Sequence, residues 1–501
     1  MTTRTMPSAE FEDQASLILA AEDCEPSDFS RLHYFAKSDE RLIGKLIAHG
    51  PVLLRGSRGS GKSALMIEAS RRLSPSISDG TAIGIYVSLR HLELLRAQQD
   101  AYERFFCELL LRELRKALID LDCDIEARPT VTSIQYALSE ISYRLKKRIV
   151  LFFDDAAHIG REASLAEFFD IFRTISSNAV SCKAAIYPGV TRFGTRFDVY
   201  NDATVLDVSR NEVLPEFRTL FADIMSLRYP SLSDERFCGV EERKDAASFL
   251  GLAVLGNMRA FVFACNTILE QASGTTIGLS TMTDTLLSLA TNHYWPLLEE
   301  LEPKLGIYGP MIKPARRVAE ILFTECGKIS GARSVLVHRD ITEALAKPLE
   351  ILEYVGFISK RDASRAMKSG GRGARYAVNL CNLLEYTPGT RLTRELSDRW
   401  SKERIDPVEL HRSHELMKVE IPTAGDSADL AILNEPIDKL RKSKTYPYGL
   451  TDEKITVLQG AEIATVGNLA EASDEDLLKL HYVGPGYVKR FRNVVGQAIW
   501  M

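Results

Sequence analysis

No apolar run in the 501-residue chain approaches the roughly 18 residues that a membrane-spanning helix needs. Met1 to Ser16 lack the basic start and apolar stretch of a secretion signal, so a cytosolic protein with no membrane contact is expected. The eight cysteines are scattered without a CxxC pair, which removes the usual opening of a zinc site and leaves reduced, mostly buried thiols as the expectation. The nine histidines give no ligand pattern either, because His411 and His414 lack a third partner at a plausible spacing. Excess charge of one sign is also missing. The 63 Lys and Arg against 68 Asp and Glu leave −5, which argues against a generally basic nucleic-acid coat. Hydrophobic residues at 45% and charged residues at 26% are ordinary for a soluble globular chain, and the length implies about three or four domains rather than one core.

The charge is unevenly spread. Met311 to Leu380 holds 13 Lys and Arg and 7 acids, so 13 minus 7 gives +6 there and −11 elsewhere. Ahead of that segment, apolar runs at Pro51–Arg55, Ala82–Val87, Ile149–Phe153, Ala184–Tyr187 and Thr204–Leu206 read as short buried strands. Helix-patterned stretches separate them: Ser30–Ala48, Lys62–Leu73, Arg90–Ile119 and Ser133–Lys146. Strands alternating with helices predict a parallel sheet covered on both faces. From Glu212 to Glu302 the pattern is helical throughout.

One string carries specific chemistry. Gly56-Ser57-Arg58-Gly59-Ser60-Gly61-Lys62-Ser63 fits GxxxxGK[ST] at every fixed position and lies between a predicted strand and a predicted helix. Its glycines let backbone N–H groups and the helix N-terminus face phosphate oxygens. Lys62 is then expected on the β- and γ-phosphates of ATP and Ser63 on Mg2+. Asp154 and Asp155 close the apolar run Ile149–Phe153, where a second acidic motif belongs: Asp154 to hold the metal, Asp155 to orient the attacking water. Asp155 is shorter by one methylene than the Glu often found in that role, which suits slow hydrolysis.

With these motifs the chain resembles the initiator-type AAA+ ATPases of the origin-recognition and replication-licensing family, over about Phe29 to Leu380. Gly256-Asn257-Met258-Arg259 is similar to the family's GxxR motif on a lid helix, and the resemblance implies that Arg259 reaches the γ-phosphate. The polar sensor expected after the Ala184–Tyr187 strand is unclear, with Thr191 a weak substitute. Arg192 and Arg196 are candidates for a finger acting on a neighbouring subunit, in a possible homo-oligomer. Signal-transduction ATPases share the paired-aspartate strand, but their GLPL-like lid motif and repeat arrays are missing here.

The basic segment resembles the winged helix that follows the lid in initiator ATPases. Lys360, Arg361, Arg365, Lys368, Arg372 and Arg375 lie on a glycine-rich hairpin, which can place cations beside duplex phosphates. The tail resembles a helix-hairpin-helix unit: Gly484 and Gly486 would expose N–H groups to a phosphate, with Lys489 and Arg490 adding charge. Such units also serve as adapters for an effector protein. The expected fold is therefore α/β: a P-loop AAA+ parallel sheet with a helical lid, a winged helix and a small all-α helix-hairpin-helix domain. The expected boundaries are an N-terminal extension at 1–29, the ATPase core at 30–211, the lid at 212–308, the winged helix at 309–386, a linker at 387–448 and the hairpin module at 449–501. The implied activity is Mg-dependent ATP hydrolysis controlling a switch or loader on duplex DNA. A protein-responsive signalling switch is the alternative.

Overall fold

Largely apolar runs build five strands, all paired in parallel: β1 (Val52–Arg55), β2 (Ala82–Ser88), β3 (Arg148–Ala157), β4 (Val180–Ile186) and β5 (Thr204–Asp207). Their order is β2-β3-β4-β1-β5. The computed structural model describes residues 20–74, 80–91, 94, 100–157, 162–190, 193–237, 243–272, 276–403, 405–422, 431–443, 446 and 449–500. Alternate side chains feed two cores: Leu53, Leu151, Phe153 and Ala184 enter one, while Val52, Leu54, Val150 and Phe152 enter the other. That period of two on a sheet buried on both faces is why the strands read as continuous apolar runs.

Helix α1 (Lys62–Arg72) starts directly from the loop after β1, its N-cap Gly61 being left-handed at φ +95°. The helical region that follows the sheet includes Phe217–Arg228, Arg243–Ala253, α2 (Met258–Gln271) and Leu279–Leu289. Asn257 caps α2, its side chain accepting from the Ala260 N–H at 3.1 Å.

A second sheet, ordered β7-β8-β6-β9, contains β6 (Ser334–His338), the antiparallel hairpin β7 (Ile358–Ala366) and β8 (Arg372–Val378), and β9 (Val408–Leu410), which is parallel to β6. The fold class is the expected one: a parallel P-loop sheet with a helical region, then helices with a two-stranded wing, then an all-helical tail.

The stretch 387–448 is not a simple linker. Helix α3 (Arg394–Lys402) buries Trp400, and β9 buries Leu410, in the core shared with the second sheet. Ile432, Ile437, Leu440 and Tyr446 instead join the separate core of the tail. Its prolines and polar residues gave a linker signal, but the sparse apolar residues among them are the ones that pack. The tail itself comprises helices Asp452–Gly460, Val466–Glu471 and Asp474–Leu478 and a final helix α4 (Pro485–Trp500).

Candidate nucleotide-binding site

The carboxyl ends of β1, β3 and β4 converge, which is where open parallel sheets hold ligands. Gly59 takes φ +77°, a conformation that costs a residue with a Cβ about 1–2 kcal/mol. A Cβ there would also lie 2.7 Å from Arg259 Cβ and 2.7 Å from Asn257 Oδ1. The loop and the lid helix therefore touch through the missing side chain. The Arg259 N–H donates to the Gly59 carbonyl at 3.2 Å, and Asn257 Nδ2 donates to the Arg58 carbonyl at 2.6 Å. Arg210 adds a third tie, donating to the Ser60 carbonyl and, at 3.1 Å, to Asp39.

Lys62 is buried, with Nζ donating to the Gly56 and Ser57 carbonyls at 2.9 and 3.1 Å and lying 3.7 Å from the centroid of the Tyr187 ring. Burial pushes its pKa down to about 7, against the pull of Asp154 and Asp155. Asp154 is buried and accepts from Tyr86 Oη at 2.7 Å and from the Ser63 side chain; desolvation, then the neighbouring Asp155, raises its pKa.

Asp155 sits at φ +53°, an unusual conformation for a residue with a side chain, where the β3–β4 register shifts. The strand does not end at the two aspartates but bulges and continues to Ala157. Both Asp155 oxygens are engaged, one by Arg90 Nε and the other by Tyr187 Oη at 3.1 Å.

Three contributors were missed in the sequence. Arg90 follows β2 and also reaches Glu22 at 3.1 Å, while Tyr187 directly follows β4. Glu22 lies in the segment expected to be an extension, yet residues from Ala20 to Phe35 wall the site: Ala20, Phe29 and Leu32 are buried, and Ala20, Leu32, His33 and Phe35 line a cavity of about 120 Å3 with Lys62, Ser63 and Arg259. Carboxylate oxygens of Glu22, Asp154 and Asp155 lie within 4.8 Å of one another. Burial lifts the Glu22 pKa to about 7, against the favourable charge of Arg90. Three crowded, desolvated oxygen donors beside Ser63 fit a hard divalent cation such as Mg2+.

The other expected site residues divide. Lys360, Arg365, Lys368 and Arg372 are exposed on the wing, Lys368 pairing with Asp406 at 2.7 Å and Arg372 donating to Ser364 Oγ at 2.7 Å. Arg361 is a correction: its side chain is only 3% exposed and pairs with Glu212 at 2.8 Å, so it joins the wing to the helical region and cannot face a groove. Arg375 pairs with Asp362 at 2.6 Å and is largely covered. In the tail, Gly484 precedes α4, and Gly486, Lys489 and Arg490 face a cavity that also contains Arg58 and Arg259. Arg196 is exposed, 4.0 Å from Asp170; Thr191 and Arg192 lie outside the described residues.

The chain is similar to initiator proteins of known structure. Cdc6p from Pyrobaculum aerophilum matches at 12% identity and a TM-score of 0.34, covering 74% of this chain and 94% of that one. The Aeropyrum pernix Orc1 protein, solved in complex with DNA, matches at 13% and 0.32, covering 78% and 96%. Domain III of the Thermotoga maritima replication initiation protein DnaA matches at 14% and 0.31, covering 56% and 98%. No protein-family model matches, and no curated protein matches significantly. Identities and TM-scores this low carry no function across, so the site's own geometry has to. Among the described residues no helix is long and apolar enough to cross a membrane.

Proposed function

We propose that this chain is a Mg-dependent ATPase in which the nucleotide sets the docking of the helical lid, and that it acts as a nucleotide-controlled switch or loader on duplex DNA. The observation that carries this reading is the direct backbone contact between Arg259 and Gly59, beside Lys62, Ser63 and the paired aspartates. Loop N–H groups and Lys62 bind the phosphates. The apolar side of the small cavity, with Leu32, Phe35 and Val262, receives the base. Ser63, Asp154 and Glu22 hold the metal, which supplies charge neutralisation when bound. Arg259 links the terminal phosphate to the lid, because a charge-assisted contact that is lost with that phosphate shifts the lid's equilibrium.

Asp155 orients water only after giving up Arg90 or Tyr187, since both its oxygens accept hydrogen bonds in the present arrangement. A preoccupied base slows turnover, which suits a switch. On the wing, Lys360, Arg365, Lys368 and Arg372 form the exposed cationic edge for phosphate contact.

The experiment combines nucleotide and DNA binding. Lys62→Ala should abolish ATP binding, whereas Asp155→Asn should keep it and lose hydrolysis. A gel-shift titration with duplex should differ between ATP and ADP and fall with salt at a log–log slope near −3 to −4 for about four phosphate contacts. Duplex binding indifferent to salt and nucleotide would replace this reading with a switch that answers to a protein partner.

A further inference from the structure

A cavity of about 910 Å3 lies between the phosphate loop, the lid and the tail module, far larger than the cleft at the loop itself. Arg58, Arg90 and Arg259 belong to the loop and lid side and Lys442, Lys489, Arg490 and Arg492 to the tail side, Arg492 being paired with Asp474 at 2.7 Å. Among the described residues, the carboxylates lining it are those of Asp23 and Glu300. Besides Lys442, the tail contributes residues of α4, among which Gly486, Lys489, Arg490 and Asn493 follow the i, i+3, i+4, i+7 spacing of a helix stripe.

Two of these cations keep buried donors without a partner, whereas Arg90 pairs with Glu22 and Asp155 and Arg490 donates to the Gly449 carbonyl at 3.0 Å. Arg58 is 9% exposed, and its Nη1 is buried without a hydrogen-bond partner, as is Nε of Arg259. Buried guanidinium N–H groups facing a cavity mark a place for an anion. Phosphate alone would leave the rest of the lining unexplained. Phe263 and His293, both half-buried, also face the space with ring centroids 4.7 Å apart, and the fully buried Tyr294 ring, 5.0 Å from His293, backs them. Burial, reinforced by Arg58 and Arg259, pushes the His293 pKa down to about 3, so its ring is a neutral stacking surface at physiological pH. Asn493 supplies an amide for base edges, beside Asn292, whose Nδ2 donates to Ser288 Oγ at 3.0 Å.

Cations for phosphates, flat rings for bases and amides for base edges make the recognition set of single-stranded nucleic acid. We infer that this cavity binds a short phosphodiester-linked oligonucleotide of about two or three nucleotides, the upper size that a cleft of this class encloses. A duplex is too wide for it. The same chemistry is offered by a free linear or cyclic oligonucleotide and by the end of a longer single strand. The inference adds a second ligand to the nucleotide reading and does not depend on it, since the tail module supplies four of the seven cations that line the cavity among the described residues.

The test uses the full chain and fluorescein-labelled linear triadenylate, followed by anisotropy with and without ATP, beside a parallel titration of a fluorescent ATP analogue. The expected result is saturable one-to-one binding that Lys489→Glu and Lys442→Glu each weaken by about tenfold, while ATP affinity stays within about twofold. Competition by cyclic triadenylate identifies a free ligand; competition by a long single strand of unrelated sequence identifies a strand end; either supports the site. Absence of saturable triadenylate binding overturns the inference, as does binding that neither reversal alters or that duplex displaces equally well. Loss of ATP binding in the unmodified chain would fail the nucleotide reading alone, because the triadenylate titration is also scored without ATP.

Discussion

Gly59→Ala tests the coupling of loop and lid most directly. The native residue has φ +77°, and a left-handed residue with a Cβ costs about 1–2 kcal/mol. The new methyl would sit 2.7 Å from Arg259 Cβ and 2.7 Å from Asn257 Oδ1, neither of them the free end of a flexible chain, and overpacking of that kind costs about 1–3 kcal/mol more. The docked state should therefore lose about 2–5 kcal/mol, and ATP affinity should fall by at least about 30-fold if docking belongs to the bound state. Gly50→Ala is the control. Gly50 has φ +104° but nothing within 4 Å of a built Cβ, so it carries the backbone cost without touching the lid. Both variants should melt at lower temperature, and only Gly59→Ala should lose ATP affinity, measured by calorimetry with Mg2+. The Gly59→Ala/Arg259→Ala double variant should be little worse than either single one, because undocking the lid already withdraws the Arg259 guanidinium from the terminal phosphate, while alanine keeps the Cβ and N–H that meet Gly59. Equal ATP affinity in Gly59→Ala and Gly50→Ala would refute the reasoning.

The phosphate loop was legible in the sequence because its chemistry is local: glycines, Lys62 and Ser63 are fixed by spacing, and Asp154 and Asp155 by the end of an apolar run. Arg259 was legible through Gly256-Asn257-Met258-Arg259, though nothing in that string says that Gly59 is the surface it meets. What stayed hidden depends on contacts between distant segments. Arg90 reaches Asp155 across 65 positions, and Glu22 sits in a polar stretch with no motif of its own. Arg361 illustrates the opposite error. On sequence it belongs to a run of wing cations, and only the placement of Glu212 turns it into a buried structural charge. Composition counts charges but not their partners, so the surface that remains basic is smaller than the +6 segment suggested. Trp400 was the available clue that the supposed linker packs, because a large aromatic amid polar residues is expensive to leave in water.

The remaining predictions separate structural from binding charges and add a pH test. Arg361→Ala should destabilise by about 1.5–3 kcal/mol in denaturant unfolding, because Glu212 loses one charged partner and keeps only Arg333 at 3.4 Å, while Arg365→Ala and Arg372→Ala should leave stability alone and weaken duplex binding. Glu22→Gln should raise the Mg2+ needed for half-maximal hydrolysis at saturating ATP by about tenfold; an unchanged Mg2+ titration would remove Glu22 from the metal site. Two half-buried, desolvated histidines that line the cavities at the phosphate loop should make the fold acid-labile. Burial lowers His33 to about 4, and burial with Arg58 and Arg259 lowers His293 to about 3, whereas each titrates near 6.5 when unfolded. The unfolded chain therefore binds more protons as pH falls through 6.5, and stability is lost below that value. At pH 5 each site contributes a loss of about 2 kcal/mol relative to pH 7.5, counting about 1.4 kcal/mol for each pH unit below 6.5. His293→Leu should cancel one of these contributions and His33→Phe the other, so the measured quantity is the change in the pH 7.5 to pH 5 difference, not stability at either pH. A general loss of packing would lower both ends of that difference together, whereas titration of a desolvated ring moves only the acid end.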